Sequence, residues 1–365
     1  MAISTIGASA LDSGVSQLGK SLIINGAMTV AQRGTSQSLG ASAVYTCDRW
    51  RWDQSSGTNG TMEQTSTVPS GSGFANSLRF NPSNAQTPGA AEYNIVGQRI
   101  EAQNLQHLLY GNAGAKTLAL QFWVRSPKTG IHTFAVFQND KAGGRNYVGT
   151  YTVASADTWE LITTTIPGDT SGQIDNDTGN GFALVWNIGS GSDYETATVN
   201  AWETSASPKY STSGAAYVTD DAADDFYITG VQLEVGSVAT DFEFEPYSAT
   251  LAKCQRYFWR ETVASTNTMG IGSGNMDSTT QAFILVKFPV PMRGVSPTFS
   301  VNDVTKFKIL QGGSTLSSTA VAVNWAGSVL QSILVVTVSG GTAGNGATMT
   351  TDGTNGTYYQ FSSEL

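Results

Sequence analysis

A two-residue hydrophobic rhythm, recurring along most of the chain, constrains the fold more than any other feature of the sequence. In TLALQFWVRS, residues 117–126, Leu118, Leu120, Phe122 and Val124 alternate with Ala119, Gln121, Trp123 and Arg125. Successive side chains of a strand point to opposite faces, so this spacing lays one apolar row against a core. Similar segments occupy 45–52, 78–80, 132–138, 146–153, 159–166, 182–189 and 226–235. No helical period separates them, which predicts an antiparallel sandwich or jelly roll. The 40 glycines and only 13% charged residues fit this reading. Gly and Asn supply tight turns and Thr suits a pleated surface, whereas helix bundles need Glu, Lys, Ala and Leu.

At 365 residues the chain exceeds one sandwich-sized core, so two domains are expected. Leu11, Val15, Leu18 and Leu22 have seam spacing in a Ser- and Gly-rich stretch, which makes 1–24 either a frayed terminus or a helical stub that orders on docking or self-association. A jelly roll then spans 25–247. Ser248 is a good N-cap, and Leu251, Cys254 and Phe258 follow at helical spacing, predicting a linking helix over 248–261 with Cys254 as a small core residue. Strand patterning resumes over 262–365 as a C-terminal β domain. The expected class is all-β: stub, jelly roll, linking helix, terminal β-sandwich.

Several functions lack material. With 19 basic and 28 acidic residues the net charge is −9, which repels phosphate backbones and argues against nucleic acid. Two cysteines and two histidines offer little for a disulfide framework, zinc or acid–base chemistry, and no GxSxG elbow supports a serine hydrolase. No secretory leader and no membrane-length apolar run is read, so membrane insertion is not expected and the chain is placed in the cytosol where it is made.

Two acidic motifs remain. In DNDTGNG, Asp175, Asp177 and Gly179 follow the alternating-oxygen logic of calcium loops, without the closing Glu of an EF-hand. A strand-to-strand turn accounts for the same residues more simply, and a calcium ion there would be structural. The DDAADD run at 220–225, with Glu243 and Glu245, could furnish a glycosidase carboxylate pair, although a solvated loop is the simpler reading. No other cofactor and no catalytic residue is assigned.

Taken in order, SLIINGAMTVAQRGTS, YTCDRW, GQRIEAQNLQHL, TLALQFWVRSPKTGIHTFAVFQND, WELITTTIPGDTSGQIDNDTGNGFALVWNIGSG, DDFYITGVQLEVGSVATDFEFEPYSATLAKCQRYFWR, FPVPMRGVSPTFSV and YYQFSSEL resemble tail-fibre and related virion proteins of tailed bacteriophages. The resemblance runs from about residue 22 onward and implies a carbohydrate-binding-module-like, galactose-binding-like jelly roll. It further implies a homotrimer in the virion tail, assembled in the host cytoplasm, that docks to other tail proteins and meets a host-surface glycan. The long repetitive shaft of many such fibres is missing, so a short fibre or distal segment is the expectation. A structural connector and a polysaccharide depolymerase are the alternatives.

Sugar rings stack on exposed aromatic faces. Trp186, Tyr194, Trp202 and Tyr210, in or beside loop-like stretches, are therefore the candidate ligand-binding residues, while Trp123, Trp159 and Trp259 are assigned to the interior. Tyr358, Tyr359, Asn345 and Asn355 are alternative receptor contacts in the last domain.

Overall fold

The computed structural model describes residues 20–40, 43–138, 140, 143–264 and 266–365. The proposed stub at 1–24 lies almost wholly outside them. The chain is nearly all β and divides into two compact units. The first takes the described residues up to Thr29, then Ser36–Val44 and Arg51–Tyr247; the second takes Val30–Thr35, Tyr45–Trp50 and Ser248–Leu365. The second unit thus draws on two short segments that the sequence pattern gave to the jelly roll.

The first unit contains two antiparallel sheets. Sheet I is ordered Ser36–Ser38, Gly60–Thr65, Ser77–Pro82, Phe226–Val235, Leu118–Arg125, Glu160–Ile166. Sheet II runs Trp202–Thr204, Arg145–Val153, Gly130–Gln138, Asn180–Ser190, Tyr93–Glu101, Arg51–Gln54. Rings from the two sheets meet between them: Trp52 stacks on Phe80 at 4.5 Å and Phe122 meets Trp186 edge-on at 5.2 Å. Leu118, Leu120, Phe122 and Val124 are all fully buried, as their alternation requires. Burying one such side chain is worth about 1.5–3 kcal/mol, so these rows hold the sandwich closed.

The expected strand over 45–52 forms only in part. Its middle turns sharply, with the Trp50 N–H donating to the Cys47 carbonyl at 3.0 Å and Arg49 at φ 74°. The segment is held there by buried ion pairs rather than by a sheet ladder.

The second unit packs a three-stranded sheet, ordered Phe258–Thr262, Tyr358–Ser362, Thr298–Val301, and a seven-stranded one around a core that includes Ile284, Val286, Ile309, Leu334, Met349 and Phe361. Trp259 lies in this core, stacked on Phe361 at 5.8 Å. The expected three-turn helix is shorter: α1 spans Tyr247–Gln255 and gives way to the Phe258–Thr262 strand. Phe258 and Trp259 favour a pleated surface and pair in register with Ser362 and Phe361. Cys254 is buried on α1, and burial pushes its thiol well up, as it does that of buried Cys47.

A polar hub lies inside this unit. Asp48 accepts from the Gln32 backbone N–H at 3.0 Å and lies 3.8 Å from the Arg33 guanidinium; Gln32 Nε2 also donates to the Phe258 carbonyl at 2.8 Å. Arg33 pairs with Glu364 at 3.1 Å, and Arg49 makes a second pair with the same carboxylate. The guanidinium carbons stand 3.4 Å from the Phe258 ring centroid and 3.5 Å from that of Tyr257. Each buried charge therefore has a partner of opposite sign, and each guanidinium an aromatic face as well, without which burying it would be costly.

Candidate functional site

Sheet II has an inner face, carrying Trp52, Val96 and Trp186, and an outer one. Strand alternation and register assign Arg51 and Asp53, then Tyr93, Ile95, Gly97 and Arg99, to the outer face, with Arg51 opposite Gly97 and Asp53 opposite Ile95. A Cβ on Gly97 would sit 2.1 Å from the Leu184 carbonyl oxygen, so glycine permits the close strand contact here. Arg51 Nη2 binds Asp53 at 2.6 Å, and Arg99 approaches the same carboxylate at 4.0 Å.

The loop that follows the Asn180–Ser190 strand returns across this face. Its bend is fixed where the Tyr210 and Ser211 N–H groups both donate to the Tyr194 carbonyl, at 2.9 and 3.1 Å. Thr133 Oγ1 donates to the Tyr210 carbonyl at 2.9 Å and Asn187 Nδ2 to Ser211 Oγ at 3.2 Å, which pins the loop to the sheet. Tyr194 and Tyr210 consequently stack at 5.3 Å with 18° between their planes, and Tyr93 closes the group at 5.0 Å from Tyr194 and 5.4 Å from Tyr210. Tyr210 forms the buried floor, while Tyr93 and Tyr194 are half-buried rims.

Burial raises the Tyr93 phenol above its ordinary range, with the Asp53 charge adding to it and Arg51 and Arg99 opposing. Burial likewise lifts Tyr210 far out of the physiological range. Both hydroxyls stay neutral at ordinary pH and keep a proton to donate. The cluster therefore combines aromatic faces, neutral hydroxyls, guanidinium donors and one carboxylate acceptor. Such a set suits a hydroxyl-rich ring with an apolar face.

Of the four aromatic candidates, the structure brings together Tyr194 and Tyr210. Trp186 requires correction: it stands inside the Asn180–Ser190 strand, fully buried against Phe122, because Phe182, Leu184, Trp186 and Ile188 all share the inner face. Trp202 is half-buried but lies elsewhere, with its ring against Tyr110 and Tyr147 and its indole N–H donating to the Pro167 carbonyl at 2.6 Å. Tyr93, Arg51, Asp53 and Arg99 were not singled out from sequence, although alternation in their two strands places all four on one face. Trp123 and Trp159 are also corrected. Both are half-buried, not interior, and Trp123 falls on the row opposite Phe122 that its own strand pattern predicts.

The acidic motifs resolve into local roles. Asp177 Oδ1 accepts the Gly179 N–H at 2.8 Å, closing its own turn, and the Asp175 N–H donates to Asp140 at 3.0 Å. Among the described residues no group of three His, Cys, Asp or Glu side chains is arranged to hold a metal ion. In the 220–225 run, Asp220 and Asp224 pair with Lys128 at 3.1 and 2.7 Å, Asp225 pairs with Arg79 at 2.7 Å, and Asp221 caps the Ala223 N–H. These carboxylates are thus spent on salt bridges and a turn rather than facing each other across a cleft. In the last domain Tyr359 is buried and Tyr358 lies under Arg260, 4.0 Å from its guanidinium carbon.

No family model matches the chain, and no curated protein matches it. Several solved structures superpose on part of the chain. A bacteriophage CBA120 tailspike protein 4 enzymatically active domain superposes with TM-score 0.32 at 12% identity, over 60% of this chain and 22% of that one. A family 11 carbohydrate-binding module from Clostridium thermocellum gives 0.30 at 13% identity, over 57% of this chain and 99% of the module. A putative sugar-binding protein from Bacteroides thetaiotaomicron gives 0.33 at 12% identity, over 59% of this chain and all 100% of that one. At these scores function has to be sought in the chain's own side chains.

Proposed function

We propose that the chain is a non-enzymatic saccharide-binding protein of a tailed-phage appendage, reading a host-surface glycan through the outer face of sheet II. The observation that carries the proposal is the Tyr93–Tyr194–Tyr210 group set beside Arg51, Asp53 and Arg99. A pyranose stacks on the rim of Tyr194 and Tyr93, and its hydroxyls are received by the guanidiniums and the Asp53 carboxylate. Placement in a virion tail, assembly as a homotrimer and docking to other tail proteins follow from the motif resemblance. Several copies per particle would then multiply weak single contacts by ~10²–10⁴ in apparent affinity.

The test is a printed array of bacterial surface oligosaccharides probed with the full chain and with Tyr194→Ala and Arg99→Gln. Wild-type binding that both variants lose while remaining folded supports the proposal. No glycan bound by the wild-type chain, or binding untouched by Tyr194→Ala, refutes it.

A further inference from the structure

Sheet I also has an outer face, and the Tyr93 site makes no use of it. Across it, Tyr227 pairs in register with Arg79 on one neighbouring strand and Arg125 on the other, while Trp123 lies between Thr229 and Leu161. The Arg125 guanidinium carbon stands 5.1 Å from the Tyr227 ring centroid, and Trp159 meets that ring at 6.0 Å. Leu161 is 48% exposed, an unusual setting for a leucine beside two half-buried tryptophans.

Two details make this more than an apolar patch. Among the described residues, neither the Trp123 nor the Trp159 indole N–H finds an acceptor, and neither nitrogen is fully buried, so both donors keep some access to solvent beside their rings. The Trp123 ring is also held in place. Gly230, at φ 61° in an irregularity between Thr229 and Gln232, brings backbone so close that a Cβ there would lie 3.0 Å from Trp123 Cδ1 and 2.6 Å from Phe74 Cζ. A ring fixed before binding costs little entropy when it stacks.

Charge identifies the occupant. Arg79 is matched by Glu63 at 3.1 Å and Asp225 at 2.7 Å, and Arg125 by Asp157 at 3.5 Å, so these two cations and three carboxylates carry one net negative charge, which disfavours an anionic ligand. Exposed Thr163, opposite Gln121, continues the rings with hydrogen-bonding groups. We propose that the outer face of sheet I is a second saccharide-binding surface, selective for neutral sugars, with Trp123 as its stacking platform and Trp159 and Tyr227 beside it.

The indole N–H signals of the full chain, labelled with ¹⁵N-tryptophan, would be followed during millimolar additions of linear hexasaccharides of β-glucan, β-xylan and α-mannan. Trp123→Phe and Trp159→Phe assign the two resonances. The expected result is a saturable shift of those two signals with at least one sugar, persisting in Tyr194→Ala, and weakened about tenfold in Trp123→Ala or, should that variant misfold, in Trp159→Ala. If none of the three sugars moves them, the second surface is refuted, while the Tyr93 site stands or falls separately on its own array result. Signals that respond to protein concentration instead of sugar would make this a face for a second copy and also overturn the proposal.

Discussion

On the outer face of sheet II, Arg51, Asp53 and Arg99 keep 20%, 23% and 32% of their side-chain surface; in the hub of the second unit, Asp48, Arg49 and Glu364 keep 1%, 2% and 8%. The residue types are nearly the same, and both sets lie against tyrosines. An exposed pair is worth about 0–1 kcal/mol because water competes for each charge, so its groups are free to exchange a protein partner for a ligand. A buried pair has no such exchange available. Removing one member strands the other in a medium that cannot solvate it. One residue set is therefore available to a ligand, and the other holds segments together.

The comparison breaks most visibly at the hub. Arg49→Met should destabilise the second unit by about 3–5 kcal/mol, as expected when two buried carboxylates, Asp48 and Glu364, are left to share Arg33 alone, measured by denaturant unfolding. A loss below about 1 kcal/mol would mean that the hub is no more structural than the surface site. Trp186→Ala should cost the first unit a similar ~3–5 kcal/mol, since it opens a cavity between the sheets.

A pH titration separates the regions next. Burial raises Asp48 from 3.8 to about 6, outweighing the attraction of Arg33 and the Gln32 hydrogen bonds. The folded chain then holds this proton more tightly than the unfolded one, so the contribution of Asp48 to stability is greatest below about pH 4 and is lost as pH rises through about 6. The rise corresponds to roughly 3 kcal/mol. Subtracting the pH profile of Asp48→Asn from that of the wild type should leave this fall in melting temperature; parallel profiles would exclude it. Smallest is the effect of Tyr194→Ala, which should change stability by about 1 kcal/mol or less because its ring is half-buried, while glycan binding is lost. Calorimetry run beside the array distinguishes this from unfolding.

The sandwich was legible wherever alternation was clean. Leu118 to Val124 declare their inner row, and the 226–235 strand occupies its expected span. What alternation cannot report is which unit a strand-like segment joins. Val30–Thr35 and Tyr45–Trp50 owe their placement to Glu364, Tyr257 and Phe258, hundreds of residues away. The site divides in the same way. Tyr194 and Tyr210 were visible as loop aromatics, but their partners Tyr93, Arg51 and Asp53 arrive through sheet register, which joins strands far apart in sequence. Trp186 lies on the inner row of a strand with a clear period of two, and the loop beyond that strand does not alter its burial.

The route of the chain has a consequence for its synthesis. Arg49 pairs with a carboxylate 315 residues further on. At ribosomal rates of 5–20 residues per second, the early segments wait roughly 16–60 s for their counterion. During that interval the first unit can close around its own strands, while Arg33 and Arg49 await the Glu364 carboxylate. A fragment ending at Tyr247 would never receive that carboxylate, and its Val30–Thr35 and Tyr45–Trp50 segments would lack the strands of the unit to which they belong.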